Sequence, residues 1–295
     1  MKLMLTGATG FVGSQLLPLL AEQGISVVVV GRTKPAGFAS SQFIQADLLA
    51  EQSLTEQFQA AGCSHLLHLA WQVEHGKFWS SLDNVAWIYA SVRLVDAFAR
   101  AGGRHVVVAG SCAEYSKSAG PCDEYLTATR ADTLYGTAKD ATHQLLRHYC
   151  AQHQLSLGWA RLFLPYGATE DRRKIISALL DALGNKAPLF KVQLHHIRDF
   201  IHVSDVARAL LTLVKKQAEG SFNVCFGQAI SIQQLIELAG RLLQIDTTAF
   251  IRASSEQPAQ ESYLIGNNQR LAALGWSPQI TLEQGIKKMI SRRPH

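Results

Sequence analysis

The chain has 295 residues, of which 47% are hydrophobic and 17% charged, and this balance excludes an intrinsically disordered protein. The formal net charge is +5, but because the basic residues are scattered along the chain, they indicate an enzyme and not a nucleic-acid-binding protein. The five cysteines are odd in number and lack a metal-ligand spacing, so we expect neither a disulfide scaffold nor a structural zinc site.

Short β-branched runs alternate with longer helical patterns over the first 164 residues. Strand patterns lie at residues 3–6, 27–30, 43–46, 65–69, 106–108 and 156–163, and helical patterns at 11–23, 54–61, 82–101 and 135–153. This β-α-β-α order predicts an α/β fold with a Rossmann-type, doubly wound parallel sheet and right-handed crossovers.

The pattern changes after Pro165. Helical patterns near 173–184, 204–216, 231–243 and 281–291 dominate, with a short strand pattern at 222–225. We therefore predict a Rossmann domain over residues 1–164 and a smaller C-terminal lobe over 165–295, with the chain returning to the first domain near 195–225. No apolar run reaches the roughly 18 residues that a membrane helix needs, and the N-terminus lacks a signal-peptide pattern. We expect a cytoplasmic protein with no membrane partner.

A glycine-rich segment at residues 6–13 joins the first predicted strand to the first predicted helix. Gly7, Gly10 and Gly13 allow a sharp turn and the close approach of a pyrophosphate, which binds favourably at a helix N-terminus. The position between strand and helix is the context that a dinucleotide-binding motif requires. The predicted cofactor-binding residues of this loop are Gly7, Thr9, Gly10, Phe11, Val12 and Gly13.

The end of the second predicted strand indicates which dinucleotide is bound. No Asp or Glu that could hold an NAD ribose occurs from Ile25 to Ala46, and Arg32 follows the strand instead. A guanidinium can clamp the 2′-phosphate of NADP through paired hydrogen bonds, so NADP is favoured and NAD stays possible. The alternative is that Arg32 is a solvated residue stacked on the adenine.

Tyr135 and Lys139 lie four residues apart, which places them on one helical face. A nearby ammonium and an oxidised nicotinamide would both lower the tyrosine pKa toward the working pH, so Tyr135 is a candidate acid–base residue. Ser111 follows an apolar strand pattern, and its hydroxyl is therefore expected at the carboxyl edge of the sheet, where it can hold a substrate oxygen.

These features occur with others in a fixed order along the chain. The others are Asp47-Leu48 after the third strand, His68-Leu69-Ala70 after the fourth, Asn84 in the next helix, the turn Pro165-Tyr166-Gly167, and segments 198–207 and 274–278. Over nearly its whole length the chain resembles the extended short-chain dehydrogenases/reductases, and among them the NAD(P)-dependent sugar epimerase/dehydratase family. The resemblance implies a catalytic trio of Ser111, Tyr135 and Lys139, and a homodimer built from the helices near 82–101 and 135–153. The resemblance further implies that six residues contact the cofactor, namely Asp47, Leu48, Leu69, Ala70, Trp71 and Asn84. Arg32, Tyr135 and Lys139 are also predicted cofactor contacts.

Departures from the family pattern narrow the expected chemistry. Related dehydratases carry Asp-Glu directly after the catalytic Ser or Thr, whereas this chain has Cys112 and Ala113, so the resemblance argues against dehydration. Relatives that epimerise the carbon beside the ketone carry a Cys two places after the Ser. Cys112 is one place early, and we interpret it as a packing residue of the substrate site. Glu114 either orients the substrate or caps the loop.

The resemblance also implies that Arg198 reaches a substrate diphosphate, and the alternative is a salt bridge to Asp199 or Asp205. Two polar ligands that the family often carries are replaced by Leu164 and Gln257, so the substrate either binds differently or is not a nucleotide sugar. Four residues after the fourth strand either line the sugar pocket or pack within their loop: Trp71, His75, Phe78 and Trp79. The pair His195-His196 lacks further ligands at a useful spacing, so no metal is expected.

Hydride transfer at a single carbon remains as the expected reaction. Segments 67–71 and 109–115 most resemble a subgroup that includes reductases of nucleotide-linked 4-keto-6-deoxyhexoses. The favoured function is therefore NADP-dependent reduction at C4 of such a sugar. A nucleotide-sugar 4-epimerase with tightly bound NAD is the alternative, and a non-catalytic NADP-sensing protein is a third.

Overall fold

The computed structural model describes residues 1–116, 120–184, 190–255 and 262–293. Its strands are β1 (Lys2–Thr6), β2 (Ser26–Gly31), β3 (Phe43–Gln45), β4 (His65–His68), β5 (His105–Ser111), β6 (Ser156–Leu162), β7 (Pro165–Tyr166), β8 (His196–Arg198), β9 (Ile201–His202), β10 (Gly220–Val224), β11 (Ile230–Ser231) and β12 (Ser262–Leu264). Its α-helices are α1 (Gly13–Glu22), α2 (Thr55–Ala61), α3 (Asp83–Arg100), α4 (Leu134–Gln152), α5 (Ile175–Leu183), α6 (Val203–Lys215), α7 (Ile232–Leu243), α8 (Thr248–Ser255), α9 (Gln269–Ala272) and α10 (Leu282–Ser291).

Seven strands form one parallel sheet in the order β10-β6-β5-β4-β1-β2-β3. The order reverses beside β1, as it does in a doubly wound sheet, where the carboxyl ends of the strands leave a crevice for a ligand. This arrangement confirms the predicted α/β fold with a Rossmann-type parallel sheet.

Apolar residues alternate between the two faces of this sheet. Leu3 and Leu5 of β1 belong to the core shared with α1 and α6, whereas Met4 belongs to the core shared with α2, α3 and α4. Because successive strand side chains point to opposite faces, a strand covered on both sides must be apolar throughout. All seven residues of β5 are accordingly buried.

The chain after β6 builds a second set of elements. A third hydrophobic core holds α5, α7 and α10 together, and the strands β11, β8 and β12 form a small sheet beside it. Between these elements, β10 returns to pair with β6 in the large sheet. The division at residue 164 into a cofactor domain and a substrate lobe remains a prediction.

Several short elements lack a sequence signal. The strands β7, β8, β9, β11 and β12 have two or three residues each, and α9 has four. Such runs are too short to show a periodic pattern, and partners distant in the chain define them. Within the described ranges, no helix combines the length and the apolar character that crossing a bilayer requires.

Candidate active site

A cavity of about 1080 Å³ opens at the carboxyl ends of the parallel strands. Its wall runs from the glycine-rich loop after β1, past the ends of β2, β4 and β5, to Arg198 and the strand β12. This is the crevice in which open α/β sheets bind their ligands. Of the predicted site residues, the cavity wall includes Gly7, Thr9, Gly10, Phe11, Val12, Gly13, Arg32, Asp47, Leu48, Leu69, Ala70, Trp71, His75, Ser111, Cys112, Tyr135, Lys139 and Arg198.

Two positions of the glycine-rich loop, Gly7 and Gly13, leave no room for a side chain. Gly7 has φ +71°, and a Cβ there would lie 2.7 Å from the Ala70 nitrogen. A Cβ on Gly13 would lie 2.1 Å from the Gly7 oxygen. The bare backbone and the first turn of α1 therefore face the cavity together, which fits the pyrophosphate of a dinucleotide.

A buried hydrogen-bond chain holds the loop after β4 against this turn. The Thr6 hydroxyl accepts the N–H groups of Leu69 and Ala70, each at 3.2 Å, and lies 2.7 Å from His68 Nδ1. His68 Nε2 lies 3.0 Å from the Ser91 hydroxyl. Burial lowers the pKa of His68 to about 3, so this histidine is a neutral structural link. Sequence analysis singled out His68 only as part of a motif and missed this function.

Arg32 lies at the cavity wall where β2 ends, beside Gly31 and Thr33. Asp47 also lies at the wall and accepts the Leu49 N–H at 3.1 Å. The Ala46 N–H, one residue before Asp47, donates to the oxygen of Gly31, one residue before Arg32, at 2.9 Å. The predicted 2′-phosphate clamp and the predicted cofactor contact of Asp47 therefore lie in the same part of the cavity.

Ser111, Tyr135 and Lys139 meet at the centre of the cavity. Ser111 is the last residue of β5, and its side chain interacts with Tyr135 in the first turn of α4. Lys139 Nζ donates to the Ala109 oxygen at 2.9 Å and lies 3.7 Å from the centroid of the Trp71 ring. A Cβ on Gly136 would lie 2.2 Å from the Ala113 oxygen, so only glycine lets α4 pack this closely on the turn after Ser111.

Burial shifts the pKa of two of these groups. It lowers the pKa of Lys139 to about 7 and raises the pKa of Tyr135 above its ordinary value, although Ser111 acts against the latter shift. Without the cofactor the pKa of Tyr135 is therefore raised, and the lowering expected beside an oxidised nicotinamide stays a prediction. The pKa is raised because aromatic rings exclude water from the phenol, while Lys139 lies 6.0 Å from the tyrosine ring centroid.

Three aromatic residues, Trp71, Phe78 and Trp79, surround Tyr135, and we call them the aromatic wall. Their ring centroids lie 6.4, 4.8 and 5.8 Å from that of Tyr135, all with edge-on geometry. The wall borders the cavity, so these residues are more than loop packing. An apolar surface of this kind suits the carbon–hydrogen groups of a ligand beside the Tyr135 hydroxyl.

Asn84 holds the aromatic wall together and does not line the cavity. Its Oδ1 accepts the Trp71 Nε1–H at 2.9 Å, and its Nδ2 donates to the oxygens of Phe78 and Ser81 at 2.7 and 2.8 Å. With its side chain buried and these positions used, Asn84 is not placed for the direct cofactor contact that the resemblance implied.

The turn after Ser111 carries two further predicted substrate-binding residues, and only one of them, Cys112, lines the cavity. Cys112 lines the cavity but is buried among apolar side chains, and burial raises its pKa to about 12, so it remains a thiol. Glu114 is not among the cavity residues. Its carboxylate folds back beneath the turn and accepts the Ser111 N–H at 2.7 Å, which corrects the substrate-orienting interpretation in favour of loop capping.

Arg198 lies at the far end of the cavity. It donates to the oxygens of Ile197 and Ser262 at 2.9 and 2.8 Å. Neither of the alternative salt bridges forms, because Asp199 accepts backbone N–H groups from the loops at 226, 227 and 266, and Asp205 pairs with Arg208. Leu164 lines the cavity, whereas Gln257 lies outside the described residues.

One group in the described part of the chain has the side chains of a metal site, namely Glu114, Asp140 and His143. Glu114 already forms an ion pair with Arg161, and the His143 ring stacks on Trp159 at 4.7 Å. Asp140 Oδ2 accepts a hydrogen bond from Gln144 Nε2 at 2.8 Å, so all three residues are explained by contacts within the protein. The pair His195-His196 does not belong to this group.

Comparison with known proteins places this site in a wider context. The model of the NAD dependent epimerase/dehydratase family matches residues 3–225. The CDP-abequose synthase of Salmonella typhimurium is 26% identical over 98% of this chain and 97% of its own. The dTDP-4-dehydro-6-deoxyglucose reductase of Escherichia coli is 24% identical over 97% and 96%. Among solved structures, MoeE5 in complex with UDP-glucose and NAD has a TM-score of 0.81 at 26% identity and covers 99% of this chain and 98% of its own.

Proposed function

The chain belongs to the NAD-dependent epimerase/dehydratase family of extended short-chain dehydrogenases/reductases, and on that premise we propose that it is an NADP-dependent reductase of a nucleotide-linked 4-keto-6-deoxyhexose. The observation that carries this proposal is the meeting of Ser111, Tyr135 and Lys139 beneath the aromatic wall in one cavity. Members of this family are NAD(P)-dependent enzymes, and the retained Tyr and Lys argue against a non-catalytic NADP-sensing protein.

The three residues divide the work on the C4 oxygen. The dinucleotide, when bound, supplies the hydride. As negative charge develops on the oxygen, the Ser111 hydroxyl hydrogen-bonds to it and Tyr135 delivers a proton. Tyr135 carries this proton at neutral pH, because the ordinary tyrosine pKa is about 10 and burial raises it further. The Lys139 ammonium stabilises the phenolate that remains and binds the cofactor ribose.

The substrate class follows from what surrounds the trio. Cys112 and Ala113 stand where acids would remove water, which supports reduction over dehydration. The aromatic wall offers an apolar surface to carbons beside C4, which supports a deoxygenated sugar. The names of the two curated relatives, a CDP-abequose synthase and a dTDP-4-dehydro-6-deoxyglucose reductase, point to nucleotide-linked sugars, and Arg198 would bind the diphosphate.

Arg32 supports NADP, because it is the cation at the end of β2 on the cavity wall. One observation favours the second candidate, a nucleotide-sugar 4-epimerase with tightly bound NAD. MoeE5, which matches almost the whole chain, is described in complex with NAD and UDP-glucose.

We also propose a homodimer built on α3 and α4. Four large apolar side chains are exposed on or beside these helices: Leu82, Val85, Tyr89 and Leu145. Three further apolar residues of α3 contribute less to a partner surface, because Ile88 and Val92 are partly buried and Val95 belongs to the core. Covering the exposed side chains would remove apolar area from water.

The test is an assay of the purified protein with NADPH or NADH and a 4-keto-6-deoxyhexose linked to dTDP or CDP. We expect oxidation of NADPH together with formation of a C4 alcohol, and no dinucleotide retained through purification. Retained NAD, together with interconversion of the C4 epimers of a nucleotide sugar without net cofactor oxidation, would instead support the epimerase.

A further inference from the structure

A buried carboxylate lies directly beneath Ser111 and outside the cavity. Glu114 is the last residue of a three-residue 3-10 turn, Cys112–Glu114, and its side chain is fully buried. Its Oε1 accepts the Ser111 N–H at 2.7 Å, while the Ser111 hydroxyl accepts the Ala113 N–H at 3.1 Å. This reciprocal capping fixes the backbone from which the Ser111 hydroxyl projects.

The Glu114 carboxylate accepts hydrogen bonds from the side chains of Trp159 and Arg161. Arg161 Nε donates to Oε2 at 2.7 Å, and Trp159 Nε1 lies within 3.1 Å of both oxygens. A Cβ on Gly110 would lie 2.6 Å from Glu114 Oε1, so β5 carries glycine where the carboxylate passes under it. Burial raises the pKa of Glu114, but Arg161 opposes the shift, and the N–H groups of Ser111, Trp159 and Arg161 all favour the ionised form. Asp140 and His143 also place a polar atom within 4.8 Å of this carboxylate.

The same carboxylate lies near Lys139. Lys139 Nζ donates to the Ala109 oxygen at 2.9 Å, and Glu114 Oε1 accepts the N–H of Ser111, two residues further along β5. The negative charge of Glu114 opposes the fall in the Lys139 pKa that burial causes, so it favours an ammonium at this position. Tyr135, whose ring centroid lies 6.0 Å from Lys139 Nζ, and the neutral His68 are also neighbours of Lys139, and a carboxylate oxygen of Asp140 lies within 4.8 Å of Glu114.

We propose that Glu114 is a positioning residue of the Ser-Tyr-Lys site, which fixes the turn carrying Ser111 and supplies a negative charge near Lys139. The inference rests on the proposed function for its effect on turnover. Replacing a buried ion pair with apolar side chains is often neutral or stabilising, so fold stability alone does not require Glu114 and Arg161. The contact of Glu114 with Ser111 and its charge near Lys139 give this carboxylate a use at the active site, and Arg161 holds it in place.

Four variants of the full chain test this inference. Glu114→Gln removes the charge and nearly keeps the shape, whereas Glu114→Asp keeps the charge and shortens the side chain. The double variant Glu114→Met/Arg161→Met removes the whole ion pair and guards against a single variant that fails to fold. Glu124→Gln is the matched control, because Glu124 is also buried but accepts the Asn223 N–H at 2.8 Å and not that of Ser111.

The first measurement needs no substrate. NMR of lysine side chains labelled with ¹³C at Cε, assigned with Lys139→Arg, follows the titration of Lys139 in the cofactor-free protein. We expect a midpoint of about 7 in wild type and in Glu124→Gln. Glu114→Gln should titrate roughly one pH unit or more lower, and Glu114→Asp should stay near wild type. The double variant should shift less than Glu114→Gln, because it also removes the positive charge of Arg161. An unchanged midpoint in Glu114→Gln overturns the inference.

The second measurement is steady-state turnover, with cofactor affinity measured in parallel. A displacement of about 1 Å at a reacting group can cost roughly 10²-fold, so we expect kcat of both single variants to fall about that far while cofactor affinity is kept. Glu114→Asp moves the turn by shortening the side chain, and Glu114→Gln moves it because its amide NH₂ group faces N–H donors where a carboxylate oxygen accepted them. A kcat of Glu114→Gln within about threefold of that of Glu124→Gln also overturns the inference. If wild type reduces no 4-keto sugar nucleotide, the proposed function fails, and the Lys139 titration still decides this inference.

Discussion

Replacing Tyr135 with Phe removes one hydroxyl from the centre of the cavity and leaves the ring in place. The ring keeps its edge-on contacts with Phe78 and Trp79 at 4.8 and 5.8 Å. Among the described residues, the interaction that the hydroxyl loses is the one with Ser111. A lost neutral hydrogen bond is worth about 1 kcal/mol, so the free energy of unfolding should change by no more than roughly that amount.

The effect on turnover should be larger than the effect on stability. Proton delivery by a placed group contributes roughly 10²- to 10⁴-fold, which corresponds to about 2.7–5.4 kcal/mol of activation free energy. Steady-state oxidation of NADPH by a 4-keto-6-deoxyhexose nucleotide measures this loss, while fluorescence titration should show nearly unchanged cofactor affinity.

Tyr149→Phe is the control for this experiment. Tyr149 lies on the same helix, and its hydroxyl donates to Asp96 at 2.6 Å, away from the cavity. This variant should lose stability but keep turnover. If Tyr135→Phe retains more than about a tenth of wild-type turnover, Tyr135 is not the proton donor and the mechanism must be abandoned.

Four further predictions concern the site and its assembly. Ser111→Ala should lower kcat roughly 10²- to 10³-fold, as expected for a lost donor to a developing oxyanion, and a kcat near wild type would remove Ser111 from the mechanism. Arg32→Asp should weaken NADP binding roughly 10- to 100-fold and shift preference to NAD, whereas wild type that binds NAD more tightly than NADP would contradict this. The pH profile of kcat/KM should fall as pH rises through about 7, because Lys139 then loses its charge; a flat profile from pH 6 to 8 would contradict this assignment. Light scattering at micromolar concentration should give the mass of a dimer, and Leu145→Glu should give that of a monomer; a monomeric wild type would exclude the proposed interface.

Much of the fold could be predicted because its signals are local. The apolar run of β2 indicates a strand covered on both faces, and the glycines at 7, 10 and 13 indicate the turn into α1. The spacing of Tyr135 and Lys139 places them on one face of α4 before any tertiary contact is known. In each case, residues close in sequence determine the outcome.

The surroundings of the site were harder to predict. Glu114 is a plausible substrate ligand in sequence, yet its carboxylate turns beneath β5 to meet Arg161, a residue 47 positions later. Asn84 was expected at the cofactor and instead ties Trp71 to the turn at 78–81. Polar side chains such as these have several possible partners, and only packing decides which one they meet.

The sequence by itself determined the order of the strands and helices that build the large sheet, the glycine-rich turn, and the three residues that meet at the cavity. It did not predict the short strands or α8. The tertiary structure decided how the short strands pair and that the Glu114 carboxylate turns away from the cavity toward Arg161. It also decided, through burial, that the pKa of Tyr135 is raised and that of Lys139 is lowered. The physical reason is how far apart in the chain the interacting residues lie. Backbone propensity and side-chain period act over a few neighbouring residues, whereas burial and charge pairing depend on segments that are distant in the chain.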